Sequence, residues 1–181
     1  MKKGKIFIKA IYAGVMIGVG GCVYLSVENR IVGSLLFSFG LLTIVTQGFW
    51  LYTGKIGFVK KIGELADMAL VVAGNYIGTF LTAFLVRMSG LPLDTGELVG
   101  RKLDHSIWQV FFLSVLCGVM MYLAIDNYNK SRHIIFIMLP VMIFILSGFE
   151  HSVANMFYFH LAGAWGSGPL GYLLVMVLGN G

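Results

Sequence analysis

SGFEHSVANMFYF, residues 147–159, sits inside the fifth long apolar stretch of a 181-residue chain and places a carboxylate, an imidazole and an amide where hydrocarbon is expected. A charged side chain in the middle of a bilayer is expensive, so such residues usually face a cavity or a partner and mark the working part of a membrane protein. The reading of Glu150 and His151 therefore decides whether this segment is a flawed helix or the lining of a path.

Composition sets the medium. With 58% hydrophobic and only 12% charged residues and a mean hydropathy of +0.88, the chain has the profile of an integral membrane protein. A window of about 20 residues, one helical crossing of the hydrocarbon layer, finds apolar stretches at residues 6–27, 31–59, 68–88, 106–125, 134–159 and 170–178, which predicts six spans with the last one short. Cytoplasmic loops collect Lys and Arg. Alternate placement puts Lys2, Lys3, Lys5, Lys9, Lys55, Lys60, Lys61, Lys130 and Arg132 on one side; Arg30, Arg101 and Lys102 fall on the other, with Arg87 near the end of its span. Both termini are expected in the cytoplasm, and the net charge of +5 needs no nucleic-acid partner. The start of the chain, up to Cys22, has the outline of a lipoprotein signal, but the later spans need this helix as a partner, so it is expected to stay. Cys22 and Cys117 form neither a disulfide framework nor a metal-ligand spacing, and no cofactor is implied.

Spans two and five are both longer than one crossing needs, and both are broken by small and polar residues. The breaks are TQGFWLYTGK, residues 46–55, and SGFEHS, residues 147–152. Each is followed by a span carrying Gly-Asn: Gly74-Asn75 and Gly179-Asn180. Three spans per half make the second half cross in the opposite sense, as in transporters built from inverted repeats. The expected architecture is an all-α six-span bundle forming a single transmembrane domain, with a first repeat at about 6–90 and a second at about 102–181. Irregular backbone at that depth is tolerated only around a cavity or inside protein, so two breaks imply one central cavity. The last span stops at Gly181 without a charged flank and is expected to be incomplete. Gly14, Gly18, Gly20, Gly21, Gly74 and Gly78 suit close helix contact.

Among the polar residues, His151 is assigned to the pathway and Glu150 to the wall, with Asn155, one turn on, placed to hold His151. Imidazole titrates near neutral pH, so His151 suits proton exchange with a passing anion. Thr53 in the other break offers a hydroxyl to an anion or to His151. Helices starting after each break would aim positive dipole ends at the cavity, favouring anions over metal cations. Asn75 reads as a crosslink between helices. Lys102 reads as a loop lysine, at or before the start of span four, whose charge at a mouth would concentrate anions. Ser147, Ser152, Glu150 and His151 supply the residue types of an intramembrane hydrolase, but neighbours on a helix make poor nucleophile-base contacts. A structural subunit, its polar residues only pinning helices, is the other rival.

The string Ser147–Phe157 closely resembles the formate/nitrite transporter family, and the resemblance extends through Leu51-Tyr52-Thr53, Gly74–Gly78, Lys102 with His105 after it, and Leu139-Pro140-Val141. It implies homopentamers of aquaporin-like six-helix protomers in a bacterial-type cytoplasmic membrane, each with its own pore for formate, nitrite, hydrosulfide, acetate or lactate. By resemblance, His151 is the central pore histidine, Thr53 its partner, and Lys102 the buried vestibule lysine. Apolar collars would come from Phe37, Leu41, Leu51, Tyr52, Met121 and Phe144. A bare anion would shed its water in such a constriction at large cost, whereas the neutral acid would lose only hydrogen bonds, so protonation is expected before passage. Two departures stand out. Gly118 occupies a position where several members carry Asn, which predicts a roomier cavity, and an amphipathic N-terminal helix is not seen.

Overall fold

The computed structural model describes residues 3–181, and among them every regular element is helical. Lys2, counted above in the cytoplasmic set, lies outside the described residues. Helix α1 (Lys3–Ser26) is followed by α2 (Arg30–Thr46), the four-residue α3 (Tyr52–Lys55), two 3-10 turns, and α4 (Leu65–Ser89). The short α5 (Gly96–Leu103) leads to α6 (Ile107–Ser131), α7 (Ile135–Leu146), α8 (Ser152–Ala162) and α9 (Ser167–Gly179).

Local chemistry explains the boundaries. Asn29 caps α2 by accepting from the Ile31 and Val32 amides, at 3.0 and 3.1 Å, and Ser106 with Gln109 forms a reciprocal capping box on α6. Both interrupted helices end where the chain turns through a left-handed glycine, Gly48 at φ +64° and Gly148 at φ +73°, a conformation that costs other residues a clash with their own Cβ.

Three helices are long and apolar enough to cross a bilayer alone, Lys3–Ser26, Ile62–Ser89 and Ile107–Ser131, and three shorter ones are apolar: Arg30–Thr46, Ile135–Leu146 and Gly168–Gly179. The six apolar segments are thus present, while crossing is unequal among them. The fifth divides into two real half-helices, α7 and α8. The second is α2 plus a single turn, because Gly54, Gly57 and Gly63 with Lys60 and Lys61 supply too little helix-forming, apolar sequence to continue. The 13 residues of α9 rise about 20 Å, short of a hydrocarbon core of about 30 Å. Lys102 lies neither in a loop nor on the fourth span but in α5.

Small residues draw α1 and α4 together. A Cβ on Gly18 would come within 2.7 Å of Thr82, and one on Gly74 within 2.6 Å of the Ala10 side chain; Gly14 and Gly78 lie against the backbones of Asn75 and Ile11. The glycines expected to serve contact do so.

The two breaks share one hydrogen-bonded frame. Phe49 N–H donates to Ile44 O at 2.9 Å and Trp50 N–H to Lys9 O at 3.2 Å; Phe149 N–H donates to Phe144 O at 2.9 Å and Glu150 N–H to Leu113 O at 3.2 Å. Each frame is closed by an asparagine from a neighbouring helix. The Asn75 amide donates to Ala10 O and Trp50 O while its carbonyl accepts from Tyr52 N–H, at 2.8, 2.9 and 2.9 Å. The Asn180 amide donates to Ser114 O and Glu150 O while its carbonyl accepts from Ser152 N–H, at 2.8, 2.9 and 2.8 Å. Asn75 is the crosslink the sequence predicts, and Asn180 is its counterpart.

Candidate functional site

Breaking a helix frees backbone groups and lets two non-helical side chains, Leu51 and His151, stand at the N-caps of α3 and α8. The His151 ring is buried and held on three sides. Its Nδ1 accepts from the Ala154 N–H at 3.1 Å, its Nε2 lies 2.9 Å from Thr53 Oγ1, and its face stacks on Phe144 with centroids 5.3 Å apart. Because Nδ1 already accepts, the neutral ring carries its proton on Nε2 and donates it to Thr53. The Thr53 hydroxyl hydrogen is then free to donate elsewhere.

Glu150 points away from this pair. Its Oε2 receives Lys102 Nζ at 2.7 Å and the Asn155 amide at 2.7 Å, while Oε1 lies 3.7 Å from His105 Nδ1. Glu150 and His151 both border the same large cavity, the carboxylate bonded to Lys102 and Asn155 and the ring to Ala154 and Thr53. Asn155 does not hold the histidine ring as expected: only its backbone N–H reaches His151, at O, because the side chain turns to the stronger acceptor, the Glu150 carboxylate. Lys102 is not a solvated lysine; its side chain is 13% exposed and ion-paired. Glu150 Oε1 and Asn155 Oδ1 are buried without a protein hydrogen-bond partner among the described residues, which suits a wet cavity wall.

Two cavities flank the His151–Thr53 level. The larger, about 630 Å³, is lined by Phe37, Phe144, Lys102, Glu150, His151 and Asn155 among others. The smaller, about 90 Å³, is lined by Leu41, Ile44, Leu51, Lys55, Ile125 and Asn129 among others. Phe37 faces the first and Leu41 the second, so about one turn of α2 separates them. Phe37 packs edge-on against Phe144 at 6.2 Å, closing the floor of the larger cavity.

Of the six apolar collar candidates, Phe37, Phe144, Leu41 and Leu51 line one cavity or the other. Tyr52 and Met121 are buried and line neither, and the Tyr52 hydroxyl donates to Val177 O at 2.9 Å. Gly118 does not widen a cavity. Its Cα side faces the Asn180 backbone, where a Cβ would approach the carbonyl oxygen to 2.9 Å, so it is a contact point between α6 and the end of α9. The sequence signal that could have found Asn180 was its Gly-Asn echo of residues 74–75; Lys55, which borders the smaller cavity, carries no sequence signal beyond its charge and its place at the end of the first break.

The structure defines an all-helical membrane protein built around two interrupted helices that meet at a buried histidine. The chain belongs to the formate/nitrite transporter family, whose pattern matches residues 1–180. It is 32% identical over 183 residues to Formate channel FocA of Escherichia coli (strain K12), covering 84% of this chain and 64% of that protein. It is 28% identical over 184 residues to Formate channel FocB of the same strain, covering 86% and 65%. The chain therefore spans less than two thirds of the length of these curated relatives. Among solved structures, it is similar to a pentameric formate channel with formate bound, with TM-score 0.85, 26% identity and coverage of 98% of this chain and 91% of that one. It is also similar to an ion channel of the same family, with TM-score 0.88, 25% identity and coverage of 99% and 85%. The hydrolase reading has no support in a transporter family, and its geometry is wrong: Ser152 Oγ has no hydrogen-bond partner among the described residues, and His151 Nδ1 is occupied by Ala154.

Proposed function

We propose that the protein is a membrane channel or transporter for small monovalent weak-acid anions, with formate first and nitrite or hydrosulfide as substrates of the same class. The observation that carries this reading is the buried His151–Thr53 pair, 2.9 Å apart, set between two cavities with apolar floors. Similarity to formate channels supports formate as the leading substrate.

An ion stripped of water in a floor of Phe37, Phe144, Leu41 and Leu51 loses far more solvation than its conjugate acid does. The solute passes as, or close to, the neutral acid. Lys102 stands at the larger cavity, where the family resemblance would have it draw the anion inward, but its 2.7 Å pairing with Glu150 neutralises most of that pull. The proton arrives from water, and the neutral His151 ring, its Nδ1 engaged by the Ala154 N–H, keeps its Nε2 proton and offers it toward the path as a hydrogen-bond donor. The Thr53 hydroxyl and the Nε2–H then offer donors to the carboxyl oxygens as the molecule crosses.

The working unit is a homopentamer with one pore per protomer in a bacterial-type cytoplasmic membrane, both termini cytoplasmic. The single transmembrane domain comprises repeats at about 6–90 and 102–181, a division the matched Asn75 and Asn180 frames support. Stopped-flow flux of formate, nitrite and hydrosulfide into proteoliposomes at several pH values tests the whole reading. Wild-type flux above empty vesicles, rising as pH falls and reduced at least tenfold in His151→Ala, is expected. Flux no greater than in empty vesicles would point to a structural subunit, and a His151→Ala protein equal to wild type at every pH would remove the histidine from the path.

A further inference from the structure

The charge lining the two cavities is unequal in a way that Lys102 alone hides. The larger cavity is bordered by Arg30, Arg101 and Lys102 but also by Glu28, Asp94, Glu97 and Glu150. Lys102 itself is spent on Glu150 at 2.7 Å, and Arg101 lies 3.4 Å from Glu97. With its four carboxylates against three fixed cations, that side offers an anion no net attraction. The smaller cavity carries one ionisable lining residue, Lys55, and no carboxylate.

Lys55 is half-buried at the end of α3, with Nζ 5.4 Å from the centroid of the Trp50 ring. Among the described residues it has no ion-pair partner. A cation held over an aromatic face keeps its donors available while its stem stays packed. Asn129 on α6 borders the same cavity and can supply a second, neutral donor. Lys9, whose Nζ donates to Gly48 O at 3.1 Å, adds positive charge close to the same loop. The remaining walls, Leu41, Ile44, Leu51 and Ile125, are apolar, so a bulky or multiply charged anion gains nothing there.

We propose that Lys55 forms a binding site for a small monovalent anion in the smaller cavity, and that this site, not the ion-paired Lys102, supplies the unneutralised positive charge along the path. The site takes a carboxylate or oxyanion of one to a few heavy atoms. This deepens the channel reading and rests on it. Its consequence is asymmetry: anion capture is tighter from the Lys55 face than from the Lys102 face.

The test uses the full chain in proteoliposomes sorted for orientation, with formate flux measured from each face as its concentration is varied. For Lys55→Met, the half-saturating formate concentration is expected to rise about tenfold from the Lys55 face, the scale of one partly screened charge contact, and to stay unchanged from the Lys102 face. Lys55→Arg is expected to keep the wild-type value. No change at either face, or an equal rise at both, overturns the proposal while leaving the channel reading standing. Absence of wild-type flux overturns both. A readout free of any variant is the rate at which an amine reagent modifies Lys55 in the wild-type protein, followed by mass spectrometry. Formate is expected to slow that rate at least threefold while leaving Lys3 unaffected, and equal rates with and without formate overturn the site.

Discussion

Residues 44–55 and 144–155 carry the same backbone and different chemistry. Ile44, Val45, Gly48, Phe49, Leu51 and Gly54 line the smaller cavity, and the residues one hundred positions on, Phe144, Ile145, Gly148, Phe149, His151 and Ala154, line the larger. The main-chain bonds correspond from residues 47–50 to 147–150 and in the asparagine that closes each frame, and they part at Gly54, whose N–H donates to Leu51 O where Ala154 N–H donates to the His151 ring. The side chains diverge where chemistry is needed: Leu51 against His151, Trp50 against Glu150, Thr53 against Val153, Lys55 against Asn155. A duplicated scaffold thus solves the problem common to both halves, irregular backbone in hydrocarbon, and leaves the caps free to differ. Thr53 and His151 make one contact only because the unequal halves face each other.

The sharpest test of the shared frame is its pair of asparagines. Each bonds two backbone groups of its break, Trp50 O and Tyr52 N–H or Glu150 O and Ser152 N–H, and a third carbonyl, Ala10 O or Ser114 O, that lies inside a helix; leucine would orphan the two break groups at about 1–3 kcal/mol apiece. Asn75→Leu and Asn180→Leu are each expected to destabilise the detergent-solubilised protein by about 2–6 kcal/mol, seen as a large fall in unfolding temperature or as failure to fold. If one tolerates the change and the other does not, the two frames are alike in shape and unlike in energy.

A smaller effect probes where the halves differ. Glu150 is buried and ion-paired, whereas Trp50 at the matched position is half-buried and apolar. Glu150→Leu strands Lys102 and the Asn155 amide, and breaking a buried pair from one side costs about 3–5 kcal/mol, less whatever Lys102 recovers by turning into cavity water. The double variant with Lys102→Met removes both charges and is expected to regain about half of the lost stability. Additive losses in the double variant would mean that the two side chains act independently despite their 2.7 Å contact.

Much of this was legible beforehand. The breaks announce themselves in TQGFW and SGFEHS, the Gly-Asn pairs in their repetition, and the close approach of α1 and α4 in the spacing of Gly14, Gly18, Gly74 and Gly78. These signals are local. What stayed hidden depends on distance along the chain: the Lys102–Glu150 pair joins residues 48 positions apart, whereas the His151–Thr53 pair, 98 apart, was legible because each residue sits in one of the two matching breaks. Asn155 was misread because helical spacing says which side chains can meet but not which acceptor wins, and a carboxylate outbids an imidazole nitrogen. Gly118 was misread because absence of a side chain looks like space until the Asn180 backbone is seen filling it.

The smallest expected effect lies at the third diverging position, and it separates a hydroxyl's presence from its placement. Thr53→Val keeps the shape of the side chain but leaves His151 Nε2–H without its acceptor, at a cost of about 1–3 kcal/mol, while Thr53→Ser restores the bond. In the channel reading the same change removes a donor from the path, so flux should fall several-fold with folding intact. The converse, Val153→Thr, puts a hydroxyl at the matched place in α8, where Leu51 offers no ring to meet it. That hydroxyl is buried at the second residue of α8, where the chain one turn earlier is not helical, so a loss of about 1–3 kcal/mol with unchanged flux is expected. Calorimetry and flux on the two variants together give the answer: if Val153→Thr alters flux as much as Thr53→Val does, the path does not run beside the Thr53–His151 contact but is shared equally between the halves.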